Sequence, residues 1–368
     1  MDLIPNLPDD IGRECLYRVP FKAHSKLKAV CKNWEAMVNS PRFYQDRKKG
    51  GTSEQCICLI QALPQEKSME DKRQRAPAYG LSVVNPLQGA WDWLPSIPQF
   101  KGGVPLFCQS VSLNQKLILI GGWHPTHWEA MNCVFIFDFS SGKWRQGADM
   151  PTVRTFFACT VSPSDGLIYV AGGHDDNKNA LRTAEVYNME QDRWETLPPM
   201  SQDRDECHGV YLDGSFYVIS GYTTESQGRF ERSAEVFDPN TGLWRRLENM
   251  WSVAGCPCPR SCVVVNGSLL YAFHKQGMMQ YNAQENVWCV VDSIPQSISV
   301  ATCATVWRDK IFVSGSACSG GEQACYMLDL STVKSKEAIS ISNSPKWLAV
   351  QKPPKFSGFV LSSATVEI

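Results

Sequence analysis

The strings LILIGG (Leu117–Gly122), IYVAGG (Ile168–Gly173) and FYVISG (Phe216–Gly221) share one pattern. Each is a short apolar run that stops on a pair of small residues, as a buried strand does when it enters a tight turn. About 22 residues beyond each small pair stands a tryptophan. Between them lies a third run that ends in a turn: VFIFDFSSGKW, AEVYNMEQDRW and AEVFDPNTGLW. The tryptophan strand then closes on Met150, Met200 or Met250. Working outward, Trp93, Trp144, Trp194, Trp244 and Trp288 are separated by 51, 50, 50 and 44 residues. A period near 50 residues, with four short strands per unit and turn residues between them, is the mark of a repeat architecture.

Three full units occupy about residues 107–150, 157–200 and 207–250. A degenerate unit spans 261–294, and another runs through Lys310–Gly315 and Cys325–Leu330 with no tryptophan where one is expected. Residues 56–99 read as an incomplete unit without a first strand, while FSGFVLSSATVEI at Phe356–Ile368 reads as a strand without a unit. Joining the two removes a pair of exposed sheet edges. The double glycine followed by tryptophan resembles the kelch repeat, whose units are the blades of a β-propeller. The expected fold is an all-β six-bladed kelch β-propeller over 56–368, its C-terminal strand 356–366 closing the first blade. The charged segment Gln65–Pro77 reads as a mobile loop.

The first 45 residues are helical instead. Asp9 and Asp10 suit a helix N-terminus, with Ile11, Cys15, Leu16 and Val19 on one stripe. A second stripe carries Leu27, Val30, Cys31, Trp34, Met37 and Val38, and Pro41 is expected to close it. So small a unit cannot bury much apolar surface alone and needs a partner. Leu7-Pro8-Asp9, Cys15-Leu16, Val19-Pro20, Val30-Cys31-Lys32 and Trp34 resemble the F-box motif in order and spacing over residues 3–44. The F-box docks on the Skp1 adaptor of cullin–RING ubiquitin ligases. By that resemblance Leu7, Pro8, Leu16, Val19, Pro20, Val30, Cys31 and Trp34 build or present the Skp1-facing surface. The division expected is a small all-α F-box module at 1–45, a linker at 46–55 and the propeller behind it.

Composition narrows the function. With 36 Lys and Arg against 37 Asp and Glu, blanket phosphate neutralisation is not how this chain binds. No apolar run reaches a membrane span and the first residues do not read as an export signal, so a soluble protein of the cytosol or nucleus is expected. The 15 cysteines read as buried thiols. Cys56 with Cys58, and Cys256, Cys258 and Cys262, lack the second knuckle a zinc site wants, and no cofactor or metal is expected. The clusters Arg47–Lys49 and Lys72–Arg75 read as solvated charge. No motif supports catalysis, so a non-catalytic adaptor is expected, with a kelch enzyme or a non-ligase scaffold as the alternative class.

In a four-stranded blade, the connections after the second and fourth strands emerge on one face. That face gathers Trp123, His124, Trp128, Arg154, His174, Asp175, Asp176, Arg204, Asp205, Glu206, Tyr222, Trp251 and Arg260, a mixture suited to an interface. Local pairing of Arg204 with Asp205 or Glu206 is the competing expectation. An F-box followed by kelch repeats resembles a family expanded in plants, in which the propeller holds the client. VPLFCQSV, VAGGHDDNKNAL, RDECHGV and GYTTESQGRF look like the subgroup that targets phenylalanine ammonia-lyase, or in some members type-B response regulators. The resemblance implies restraint of phenylpropanoid synthesis through ubiquitination.

Overall fold

A computed structural model describes residues 3–64, 78–100, 103–251, 261–275, 277–333 and 347–368. Gln65–Pro77, Lys72–Arg75, Cys256, Cys258 and Arg260 therefore lie outside the described residues. Among those described, six four-stranded antiparallel sheets form the six blades of a propeller. Counted from the centre outward, blade 1 is Val360–Glu367, Gln55–Ala62, Tyr79–Asn85 and Ala90–Trp93. Blade 2 is Gln109–Leu113, Lys116–Ile120, Val134–Asp138 and Lys143–Gly147. Blade 3 is Ala158–Val161, Leu167–Ala171, Ala184–Asn188 and Arg193–Leu197. Blade 4 is His208–Leu212, Ser215–Ile219, Ala234–Asp238 and Leu243–Leu247. Blade 5 is Val263–Val265, Leu269–His274, Gly277–Asn282 and Val287–Asp292. Blade 6 is Val300–Trp307, Lys310–Ser316, Gln323–Asp329 and Trp347–Ala349.

Each first strand touches that of the next blade, and the strand of blade 6 returns to Val360–Glu367, so the ring closes. In blade 1 the two ends of the chain share one ladder, from Gln55 opposite Glu367 to Gln61 opposite Val360. Glu54 and Ile368 exchange two backbone hydrogen bonds of 2.8 Å beyond it. Without this pairing both strands would present bare edges.

The tryptophans of the repeat are defined by register. Trp144, Trp194, Trp244 and Trp288 stand opposite Phe137, Tyr187, Phe237 and Tyr281 of the neighbouring third strand. At the same register blade 1 places Trp91 opposite Val84, and blade 6 places Trp347 opposite Leu328. The repeat residue of blade 1 is thus Trp91, two residues before Trp93, and blade 6 has its tryptophan after all, displaced by a long insertion. All six indoles donate their N–H to the carbonyl just beyond the last strand of the preceding blade. Trp144 reaches Pro95, Trp194 reaches Ala148, Trp244 reaches Pro198 and Trp288 reaches Met250, at 2.7–2.8 Å. Trp347 reaches Ser293 at 3.2 Å, and Trp91 reaches Gln351 at 3.0 Å. Each plate packs within its own blade and pins the blade before it.

The double glycine is needed for a crossing. The connection after the second strand passes over the segment leading into the first, forming the bridges Leu106–Trp123, Thr155–His174 and Asp205–Tyr222. Gly122, Gly173 and Gly221 hold φ of 89°, 80° and 91° there, and a Cβ on Gly173 would lie 2.3 Å from the Thr155 carbonyl oxygen. Side chains are excluded both by conformation and by space.

Among the described residues, four α-helices precede the ring: α1 (Asp9–Tyr17), α2 (His24–Lys28), α3 (Lys32–Val38) and α4 (Pro41–Lys49). The second stripe expected from sequence is two helices, because Cys31 turns extended and its sulfur caps Trp34 N–H at the start of α3. Pro41 opens α4 rather than closing its predecessor: Ser40 is the N-cap and Pro41 fills the first turn, where a missing N–H costs nothing. Helix α4 runs through residues 46–49, so the connection to the propeller is shorter than the linker 46–55 expected. Arg47 is not solvated charge. It is fully buried and donates to the Tyr17 and Val19 carbonyls at 2.6 and 2.7 Å, satisfying acceptors left open past the end of α1.

The helices sit against the ring. Phe21 meets Phe139 with ring centroids 5.6 Å apart, and Lys28 donates to the Ser140 carbonyl, both in the turn between the last two strands of blade 2. Glu54 is the joint: it accepts from Phe21 N–H at 2.6 Å and Asn85 Nδ2 at 2.8 Å, with Arg47 Nη2 at 3.6 Å. Leu16, Val38, Phe43 and Tyr44 share one apolar cluster with Phe137 and Phe139.

Candidate protein-binding surfaces

The antiparallel run of the strands puts residues 139–142 of blade 2, where the helices dock, at one end of the ring. The connections after the second strands stand at the other end. Those connections differ sharply in length. Blades 2, 3 and 4 carry residues 121–133, 172–183 and 220–233, whereas blade 5 has only 275–276 between its strands and blade 6 only 317–322. The face opposite the helices is therefore a wall on three blades and low on two.

At the wall, aromatic rings gather. Phe107 stacks on Phe156 at 4.6 Å, Phe156 on His174 at 5.5 Å, and Trp123 lies 5.6–6.1 Å from Phe107, Phe156, His174 and Trp128. Phe107, Phe156 and Glu206 occupy equivalent places and all have φ near +50° to +57°, which is strained for residues of this bulk. They line the blade 2–4 side of a central channel of about 390 Å³ that is bordered by all six first strands. Beside it a crevice of about 620 Å³ opens among Trp123, Trp128, Glu129, His174, Asp175, Asp176 and Lys178. Aromatic plates, carboxylates and backbone groups here can hold a protein segment. Among the described residues no cluster of three or more His, Cys, Asp and Glu is arranged to hold a metal ion. Burial pushes the Cys56, Cys108, Cys207 and Cys303 thiols up to about 12, which keeps them protonated.

The helical end presents a second surface. Ile11, Val30 and Leu7 are 47%, 60% and 36% exposed, and Pro8, Cys15, Pro20 and Cys31 are exposed beside them. One face of the helices is spent on the ring; the other keeps apolar side chains in water with no partner among the described residues, as an interface does.

Residues 4–46 match the F-box domain, and residues 107–315 match the KLHDC2/KLHL20/DRC7 Kelch-repeats domain. The chain is 34% identical to the F-box/kelch-repeat protein SKIP20 of Arabidopsis thaliana, over 100% of this chain and 97% of that one. The chain is an F-box/kelch-repeat protein. It is also 39% identical to the Arabidopsis thaliana F-box/kelch-repeat protein At1g80440, over 90% of this chain and 94% of that one. With At2g44130 of the same plant it shares 41% identity, over 68% of this chain and 66% of that one.

In this F-box/kelch-repeat protein the residues singled out from sequence divide by burial. Leu16 is 3% exposed and belongs to the helical core. Trp34 is half-buried, its indole donating to the Leu3 carbonyl at 2.8 Å, and Val19 is half-buried beside Arg47. Leu7, Pro8, Pro20, Val30 and Cys31 remain on the surface; Ile11 joins them, because α1 turns Gly12 and Leu16 inward instead.

On the propeller face, Arg154 and Arg204 are fully buried. Arg204 pairs with neither Asp205 nor Glu206. Its Nη1 donates to the Ser220 and Ser233 carbonyls at 2.9 and 3.1 Å, and its Nε faces Glu235 at 3.4 Å. Arg154 does the same in blade 3, with Gly172, Thr183 and, at 3.0 Å, Glu185. Asp205 instead accepts from His174 Nδ1–H at 2.8 Å, while Thr155 Oγ1 meets His174 Nε2 at 2.6 Å, a buried chain joining two blades. Tyr222 and Trp251 are buried too. Arg154, His174, Arg204, Asp205, Tyr222 and Trp251 are thus buried scaffold of the face, with His174 also bordering the crevice. Trp123, His124, Asp175 and Glu206 are accessible, with Trp128 and Asp176 more exposed still. Phe107 and Phe156 were missed by sequence reasoning; the signal was their shared place one residue after each bridge.

Proposed function

We propose that this protein is the substrate-recognition subunit of an SCF-type (Skp1–cullin–F-box) ubiquitin ligase. The F-box end binds a Skp1-like adaptor and the propeller wall holds a protein client. What carries the reading is the placement of an unpartnered apolar helical face at one end of a rigid ring and an aromatic, acidic wall at the other. Such a body makes no bond itself. It raises the concentration of client lysines near a charged conjugating enzyme, an effect set by geometry because Glu54 and the Phe21–Phe139 contact leave little slack.

The client favoured is phenylalanine ammonia-lyase, with restraint of phenylpropanoid synthesis as the consequence. The support is the resemblance of the blade 2–4 segments around Phe107, His174 and Arg204–Phe230 to the subgroup with that client. The cytosol, the nucleus or both is the compartment this role requires. The test is co-purification of Skp1 with the full chain and with Val30→Asp, followed by reconstituted ubiquitination of phenylalanine ammonia-lyase and of a type-B response regulator. Wild type retains Skp1 and modifies the lyase; Val30→Asp loses both while its propeller still binds. Skp1 retention unaffected by Val30→Asp and Leu7→Asp together would place the adaptor contact elsewhere. Modification of the response regulator alone would reassign the client.

A further inference from the structure

The crevice between the blade 2 and blade 3 connections has a chemistry of its own. Trp123 and Trp128 form one wall, their ring centroids 6.1 Å apart and their planes at 63°, so that indole surface remains uncovered. Trp128 is 49% exposed, far from the burial that tryptophan usually finds. The same space is bordered by three carboxylates, Glu129, Asp175 and Asp176, and by a single ammonium, Lys178.

The carboxylates are differently engaged. Asp175 is occupied within its own loop, accepting from the Asn177 and Asn179 N–H groups at 2.9 Å. Asp176 Oδ1 takes the Ala130 N–H at 3.1 Å and ties the two loops together, while its second oxygen accepts from no described residue. The Glu129 carboxylate makes no hydrogen bond or ion pair to a described residue and stays exposed. At about 620 Å³ the space is within the roughly 300–1,000 Å³ range of ligand sites and larger than one side chain needs.

We propose that this crevice is the specificity subsite of the client-binding face, and that it takes an arginine side chain carried on an extended segment of the protein client. The inference rests on the ligase reading and names what the client must display. A guanidinium lies flat on an indole, where the ring quadrupole attracts it, and offers its remaining donors to carboxylates at the edge. Glu129 and the open oxygen of Asp176 are the acceptors, and Trp128 is the plate. A compact ammonium gains less from stacking, and an acidic segment is repelled.

The test uses the full chain labelled with 5-fluorotryptophan, the Trp128 resonance being assigned from its loss in Trp128→Phe. The probes are two capped peptides, Gly-Ser-Arg-Ser-Gly and the same peptide with neutral, isosteric citrulline. The arginine peptide shifts the Trp128 resonance and binds roughly tenfold more tightly than the citrulline peptide. Glu129→Gln and Trp128→Ala, both at exposed positions, remove most of that preference at unchanged thermal stability. Equal affinity for the two peptides, or a preference that survives in both variants, overturns the proposal. Skp1 retention, measured on the same samples, is independent of the outcome: its absence from wild type would fail the ligase reading, whereas its presence with no arginine preference fails the subsite alone.

Discussion

Arg204 and Arg154 show how a residue on a loop of the propeller face opposite the helices becomes structure. Both leave the connection entering their blade and turn under it, into a shell of carbonyls and one glutamate from the third strand. Glu185 and Glu235 occupy the same register, opposite Thr196 and Arg246. Blade 2 has Phe135 at that register and Pro105 at the arginine position, so the pair is present together or absent together. The physical reason is that a buried charge without its partner is far costlier than an apolar replacement of both. Arg204→Ala is expected to cost about 3–5 kcal/mol in urea unfolding. Arg204→Met combined with Glu235→Leu is expected to recover part of it, since the Ser201 and Gln202 N–H groups also lose Glu235 as their acceptor. Trp347→Phe keeps the plate and loses the bond to Ser293, so a cost of about 1 kcal/mol is expected, well below that of Trp347→Ala.

At the scale of elements, the helical module contains its own acid sensitivity. His24 is packed edge-on to Phe21, Phe43 and Tyr44. Burial, with the Arg47 guanidinium adding to it, lowers its pKa to about 4. The folded pKa is below the unfolded value of about 6.5, so the unfolded chain binds the extra proton. The stability His24 permits is complete above about pH 6.5 and is lost as pH falls toward 4. Circular dichroism of the full chain is expected to show helix loss before strand loss in that window, and His24→Phe is expected to flatten the response. The joint between helices and ring gives a second test. Glu54→Ala removes the acceptor shared by Phe21, Asn85 and Arg47. Limited proteolysis should then cut among residues 18–54 at least several-fold faster, with blades 3–6 still protected.

For the whole molecule, closure of the ring decides everything else. Deleting Val360–Ile368 strips the first strand from blade 1, one wall from the central channel and the Glu54–Ile368 bonds. The expected product is aggregated chain in size-exclusion chromatography, since the bared edge of Gln55–Ala62 is long and apolar.

The fold was legible because it repeats. Gly121-Gly122, the Trp144-type residues and the 50-residue period each carry the same information several times, so decay in blades 5 and 6 did not hide it. Where the repeat breaks, spacing along the chain points to Trp93 instead of Trp91 as the repeat residue of blade 1, and to no tryptophan in blade 6, where residues 334–346 separate Trp347 from the third strand. Only the ladder registers correct these. The helices were legible as a module, from the spacing of Leu7-Pro8, Leu16, Val19-Pro20 and Trp34. Their boundaries were not, because the Cys31 cap and Pro41 at the start of α4 are local geometries that an apolar stripe runs straight through.

Sequence alone determined the architecture, a helical F-box module followed by six blades, since both follow from periodic placement of apolar and small residues. Which side chains face a partner was decided only by tertiary structure. A loop arginine and a loop tryptophan look alike in a sequence, but Arg204 finds Glu235 across its blade and goes inside, whereas Trp128 finds no such cover and stays in water. Burial is settled by what the rest of the chain brings within reach, and that is a property of the closed ring.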